Sequence, residues 1–131
     1  MRKGELLNSN IIEVISKMGH TDEIVIADAG LPIPDGVKRI DLALVKGIPS
    51  FLDVLKILLK NYECEEYYLA EEIKENNPDI EKEIIKLLEN KKNNYITHEE
   101  FKKRCKNVKA IIRTGECTPY ANIILKSGVI F

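Results

Sequence analysis

The sequence predicts an α/β fold, a three-layer α/β/α domain on a largely parallel or mixed central sheet. Two observations carry the prediction. Short apolar runs bounded by turn residues alternate along the chain with stretches whose apolar residues recur at helical spacing, the pattern of repeated strand and helix units. The 131 residues, 44% hydrophobic and 31% charged, suffice for a single domain over residues 1–131 with one core, and they lack the low hydrophobicity of a disordered chain.

Taken in order, Asn8 or Ser9 caps a first helix through Met18, striped by Ile11, Ile12, Val14, Ile15 and Met18, with Gly19 placed to close it. His20 follows directly. Residues 24–27, Ile-Val-Ile-Ala, form a buried strand that opens into a loop from Asp28 to Gly36 containing Gly30, Pro32, Pro34 and Gly36. A second strand covers 39–44, and Gly47-Ile48-Pro49-Ser50 leads into a helix reaching about Lys60 on Leu52, Leu55, Leu58 and Leu59. A third strand spans 66–71, and Pro78 in a first turn starts the helix carrying Ile80, Ile84, Leu87 and Leu88. The polar 90–94 stretch reads as a connector, with Tyr95-Ile96 as a brief strand. Thr97 and Glu100 then have capping-box spacing, which places His98 in the first turn of a short helix. A strand over 108–113 and extended segments over 121–126 and 129–131 complete the chain. The charge runs 71–75 and 102–104 read as solvated helix faces.

The 20 basic and 21 acidic residues give a net charge of −1, too weak a field to draw in nucleic acid or an anionic membrane. The longest uncharged stretch, 117–125, is far below the roughly 20 residues of a membrane span, and the N-terminal residues break off before a signal-peptide apolar region forms. Three cysteines, Cys64, Cys105 and Cys117, have no CxxC spacing; this disfavours a disulfide framework or structural zinc and makes a reducing cytoplasm the expectation. No phosphate-loop or dinucleotide pattern occurs, and no His spacing supports a metal.

Small ligands of open α/β sheets bind at the carboxyl ends of strands. Asp28, His98 and the 114–122 segment fall there, while His20, at a helix end, must approach that rim from the side. Each has an ordinary alternative. His20 equally fits a side chain capping helix carbonyls, His98 a solvent-facing first-turn residue, Asp28 a brace for its loop, and Tyr120 and Asn122 a core aromatic and a turn residue. A helix amino end disfavours a cation, so a neutral His98 ring, donor at one nitrogen and acceptor at the other, suits a sugar hydroxyl; His20 lies where a cationic ring is favoured. Tyr120 and Asn122, if extended, share a face and present a hydroxyl with an amide. Cys117 reads as a small half-buried residue rather than a nucleophile.

Gly19-His20-Thr21-Asp22 running through Ala29-Gly30-Leu31-Pro32-Ile33-Pro34-Asp35-Gly36, Thr97-His98-Glu99-Glu100-Phe101, and Ile112-Arg113-Thr114-Gly115-Glu116-Cys117-Thr118-Pro119-Tyr120-Ala121-Asn122 together resemble the D-ribose pyranase family, related to the fucose mutarotases. The wording of the first motif is similar to the ribose branch, and the resemblance covers nearly the whole chain. It implies that His20 is the catalytic proton donor and that Asp28, His98, Tyr120 and Asn122 bind D-ribose. It also implies interconversion of ribose ring forms without cofactor or metal, a cytoplasmic location, and a ring-based homo-oligomer, typically a homodecamer, with sites near subunit contacts. Cys117 stands where related sequences often carry a bulky residue such as Phe. Two other readings remain: a mutarotase of fucose or another sugar, and a non-catalytic sugar-binding accessory module of ribose uptake.

Overall fold

The computed structural model describes residues 1–131. Its sheet has six strands, β1 (Glu23–Ala27), β2 (Arg39–Asp41), β3 (Cys64–Ala70), β4 (Lys92–Ile96), β5 (Ile111–Arg113) and β6 (Ile123–Ser127), in the order β2-β5-β1-β6-β3-β4. Pairs β1/β5, β2/β5 and β3/β4 are parallel, whereas β6 runs antiparallel to both β1 and β3. The sheet is therefore mixed: five strands point one way and β6 points back.

Alternation along β1 explains the three layers, because successive strand side chains face opposite sides. Ile24 and Ile26 join the larger core cluster with Ile11 and Val14 of α1 (Ser9–Lys17), Phe51, Leu55 and Leu58 of α2 (Phe51–Leu59), and Ile84 of α4 (Pro78–Leu87). Val25 and Ala27 face the other way, against Phe101 of α5 (His98–Arg104) and Cys105. Helices thus cover both faces, unequally. A four-residue helix, α3 (Ile73–Asn76), lies between β3 and α4. No helix is long and apolar enough to cross a membrane.

The helix starts agree with their sequence signals. Asn8, Ser50 and Thr97 accept from Ile11 N–H, Asp53 N–H and Glu100 N–H respectively, and Pro78 occupies the first turn of α4. Burial pushes the Cys64 and Cys105 thiols up to about 12, so both behave as small core residues.

Several boundaries differ from expectation. Lys92, Asn93 and Asn94 belong to β4 rather than to a connector, pairing in register with Glu66, Tyr67 and Tyr68. An edge strand bonds to one neighbour only, so polar side chains are tolerated, and the Asn94 amide donates to the Tyr67 carbonyl. Strands β2 and β5 stop at three residues each, and residues 129–131 join no strand and are exposed. Gly19 does not close α1 in a left-handed turn; Met18 is already extended, and the positive φ falls on Thr21. Arg104 is not simply solvated. Its guanidinium pairs with Glu23 at 2.6 Å and lies 3.9 Å over the Tyr68 ring, which ties α5 to the sheet.

Residues 43–49 form a tight bend stitched to the segment after β5: Gly47 N–H donates to the Gly115 carbonyl at 2.6 Å and Gly115 N–H to the Pro49 carbonyl at 2.9 Å. A Cβ on Gly115 would lie 2.5 Å from the Ile48 carbonyl oxygen, a contact that only backbone movement relieves. Gly115→Ala is accordingly expected to cost about 1–3 kcal/mol of stability, measured by urea unfolding. A loss below about 0.5 kcal/mol would show that this bend is free to move.

Candidate active site

The carboxyl ends of the five co-directional strands make one rim. Asp28 leaves β1 there, His98 follows β4, and Tyr120 and Asn122 precede β6, which starts where its neighbours end. Asp28 and Asn122 form a reciprocal pair. The Asn122 amide oxygen accepts from Asp28 N–H at 2.8 Å, and its amide nitrogen donates to Asp28 Oδ2 at 3.0 Å. Asp28 Oδ1 accepts from Gly30 N–H and Leu31 N–H, which folds the Gly/Pro loop around the carboxylate. The bracing reading of Asp28 holds, and the loop in turn fixes the carboxylate at the rim.

Tyr120 and Asn122 do not share an extended face as the sequence suggests. Tyr120 has φ 57°, in the left-handed region, and Asn122 N–H donates to the Tyr120 carbonyl. That turn sends the two side chains to different neighbours: Asn122 meets Asp28, while the Tyr120 ring packs edge-on against His98 with centroids 5.2 Å apart. His98 Nδ1 is buried without a hydrogen-bond partner, an arrangement that is rare in folded proteins and calls for a specific reason.

A supporting layer, not singled out from the sequence, fixes these groups. Glu72 receives the His98 N–H on both carboxylate oxygens, at 3.0 and 3.1 Å. Buried Asn77 donates to the Thr118 hydroxyl and the Pro119 carbonyl, and Glu116 accepts from Phe51 N–H and from the Thr118 hydroxyl. Glu72 lies in one of the charge runs read as solvated, so sequence alone carried no signal for it. Cys117 is exposed, not half-buried, and borders an open depression of about 440 Å³ with Asp28, Gly30 and Thr118.

His20 is elsewhere. The sequence expectation that it approaches the rim from the side is corrected by the topology: it precedes β1, whereas Asp28 follows it, and five residues of strand span about 16 Å. It lines a depression of about 450 Å³ with Met18, Tyr62, Ser127 and Phe131, at the amino end of the co-directional strands. Its Nε2 lies 2.8 Å from Glu65 Oε2. The turn that presents it is over-determined. Gly19 N–H donates to the Asp22 carboxylate, Asp22 N–H to the Gly19 carbonyl, and Thr21 N–H to the Ser127 carbonyl. These bonds hold Thr21, a β-branched residue, at φ 74°. The two non-glycine residues with positive φ, Thr21 and Tyr120, thus flank the two halves of the candidate site, where backbone strain tends to be stored.

No group of three or more His, Cys, Asp or Glu side chains is placed to hold a metal ion. The rim instead gathers carboxylate, amide, phenol and imidazole, a set suited to the hydroxyls of a small polyol.

The sequence model of the RbsD / FucU transport protein family matches residues 1–130. The chain is 58% identical over 131 residues to a D-ribose pyranase of Clostridium novyi (strain NT), covering 100% of both. It is similar in structure to Bacillus subtilis RbsD complexed with D-ribose, with a TM-score of 0.98, 48% identity and full coverage of both chains. A fucose mutarotase of Streptococcus pneumoniae in complex with L-fucose matches with a TM-score of 0.81 and 30% identity over 95% of this chain and 94% of that one.

Removing the Asn122 amide would leave the Asp28 N–H without its acceptor in a half-buried place. Asn122→Ala is expected to lose about 1–3 kcal/mol in urea unfolding. Asn122→Asp should be worse at neutral pH, because two carboxylates then face each other, and the penalty should shrink on acidification as one takes up a proton. A penalty independent of pH would contradict the pairing.

Proposed function

Since the chain belongs to the RbsD / FucU transport protein family, we propose that it is a D-ribose pyranase, interconverting the β-pyranose and β-furanose forms of D-ribose. The observation that carries this reading is the full-length likeness to the ribose-bound Bacillus subtilis protein, with the rim of hydroxyl-binding groups as its structural counterpart. The lower identity to the fucose mutarotase favours ribose over fucose.

The reaction moves protons and one C–O bond. The ring oxygen O5 gains a proton as the anomeric hydroxyl loses one, and the C1–O5 bond breaks to give the open aldehyde. Rotation about the chain brings the O4 hydroxyl to C1; O4 attacks, its proton leaves, and the carbonyl oxygen is protonated. Atoms and charge balance with no redox step, covalent intermediate, cofactor or metal.

His20 is the proton donor to the ring oxygen. Asp28, His98, Tyr120 and Asn122 hold the sugar so that the ring oxygen faces the imidazole, and the bracing of Asp28 and the edge-on packing of His98 fix that geometry before binding. Because His20 sits at the other end of its own sheet, it serves the rim of a neighbouring copy. The site lies between two chains of a ring-based homo-oligomer, a homodecamer by family likeness, and D-ribose and copies of this chain are its partners. The protein works in the cytoplasm, where its three free thiols stay reduced.

Saturation-transfer NMR of ribose tests the assignment. Pyranose–furanose exchange should accelerate with the protein, and His20→Ala should lose about 10²- to 10⁴-fold of that acceleration, the usual contribution of one general acid. Exchange at the buffer rate with the unsubstituted protein would instead indicate a sugar-binding module, and faster exchange of L-fucose than of ribose would reassign the substrate.

A further inference from the structure

We infer that Glu65 is a positioning residue for His20: its carboxylate takes the Nε2–H and leaves Nδ1 as the nitrogen that passes the proton to the sugar. The inference rests on the proposal that His20 is the acid, and it adds the residue that orients it. Three observations on different parts of the chain support it.

First, Glu65 Oε2 lies 2.8 Å from His20 Nε2. A carboxylate can only accept, so Nε2 carries the hydrogen, and Nδ1 is the ring atom whose proton is exchanged. Second, the backbone is built to aim Glu65. Cys64 pairs with Ser127 and Glu66 with Lys126, so two steps on β3 oppose one on β6, and Glu65 is the extra residue of a bulge. Such bulges redirect a side chain that a regular strand would send elsewhere. Third, the opposing strand end makes room. A Cβ on Gly128 would stand 3.2 Å from the Glu65 Cβ, and Gly128 N–H instead holds the chain by donating to the Glu63 carbonyl at 2.9 Å.

Neighbouring charges leave Glu65 free for this task. Of the three acids at this strand end, Glu63 engages Lys91 at 2.9 Å and Glu66 engages Lys126 at 2.8 Å. Glu65 has Lys126 only at 4.0 Å, on its other oxygen. Its short contact is with His20.

The experiment compares Glu65→Ala, Glu65→Gln and His20→Ala by ribose exchange, with ¹⁵N NMR of the His20 ring. Glu65→Ala should lower kcat about 10- to 100-fold, the usual scale for a misoriented catalytic group, with little change in KM because the rim still holds the sugar. Glu65→Gln, whose amide oxygen accepts the same N–H, should recover most of the rate. In the unsubstituted protein the neutral His20 ring should be almost wholly the Nε2–H tautomer, and Glu65→Ala should return it to the mixture of an unconstrained side chain, in which the Nδ1–H form is also populated, while leaving the thermal midpoint unchanged. Full exchange in Glu65→Ala beside an inactive His20→Ala would overturn the positioning role alone. Full exchange in both variants would overturn the acid assignment beneath it, and a neutral ring protonated on Nδ1 would overturn the Glu65 hydrogen bond whatever the rates.

Discussion

Strand β6 is hydrogen-bonded antiparallel between β1 and β3, and it joins the parallel group β2-β5-β1 to the parallel pair β3-β4. The rest of the structure depends on this insertion. Because β6 runs against its neighbours, its first residues lie at their carboxyl ends and its last at their amino ends. Asn122 therefore arrives beside Asp28, and Ser127 with Gly128 arrives beside His20 and Glu65. One five-residue strand thereby reaches both halves of the proposed site and sets the distance between them.

Under the proposed roles, that separation makes association part of the catalytic design. With His20 as the proposed acid and the rim as the proposed sugar-binding set, neither end of the chain is complete by itself: the rim has no second histidine, and the other end has an imidazole with a carboxylate but none of the rim groups. In the proposed ring, every copy would offer its histidine end to one neighbour and its rim to another, so that the head-to-tail contacts close. The chain carries only two histidines, and in this arrangement each has a separate task on a separate surface.

Most of the fold was legible because it rests on local signals. The apolar 24–27 run, the caps at Asn8, Ser50 and Thr97, and Pro78 all act within a few residues of where they occur. The rim residues were legible for a similar reason, since a strand's carboxyl end is a place that a sequence can point to. What escaped reading depends on distant partners. Polar β4 looked like a connector because its pairing with β3 supplies what its side chains do not. Arg104 looked solvated because Glu23 and Tyr68 lie 81 and 36 positions away in the chain. The end of the sheet occupied by His20 could not be read at all, because an approach from the side and a position at the far end have the same sequence. Glu65 was hidden among acidic neighbours, and only the register of β3 against β6 shows that it is the one turned aside.

The central claim, that His20 of one copy acts on sugar held by another, is tested most directly by mixing two inactive proteins. His20→Ala keeps the rim and His98→Ala keeps the proton donor, so co-expression at equal levels should restore ribose exchange. Random assembly in a ring makes about a quarter of the sites intact, and the exchange rate should recover to about that fraction of the unsubstituted value. A co-assembled mixture that stays at the buffer rate would contradict the account and place His20 and the rim in one chain or outside one reaction.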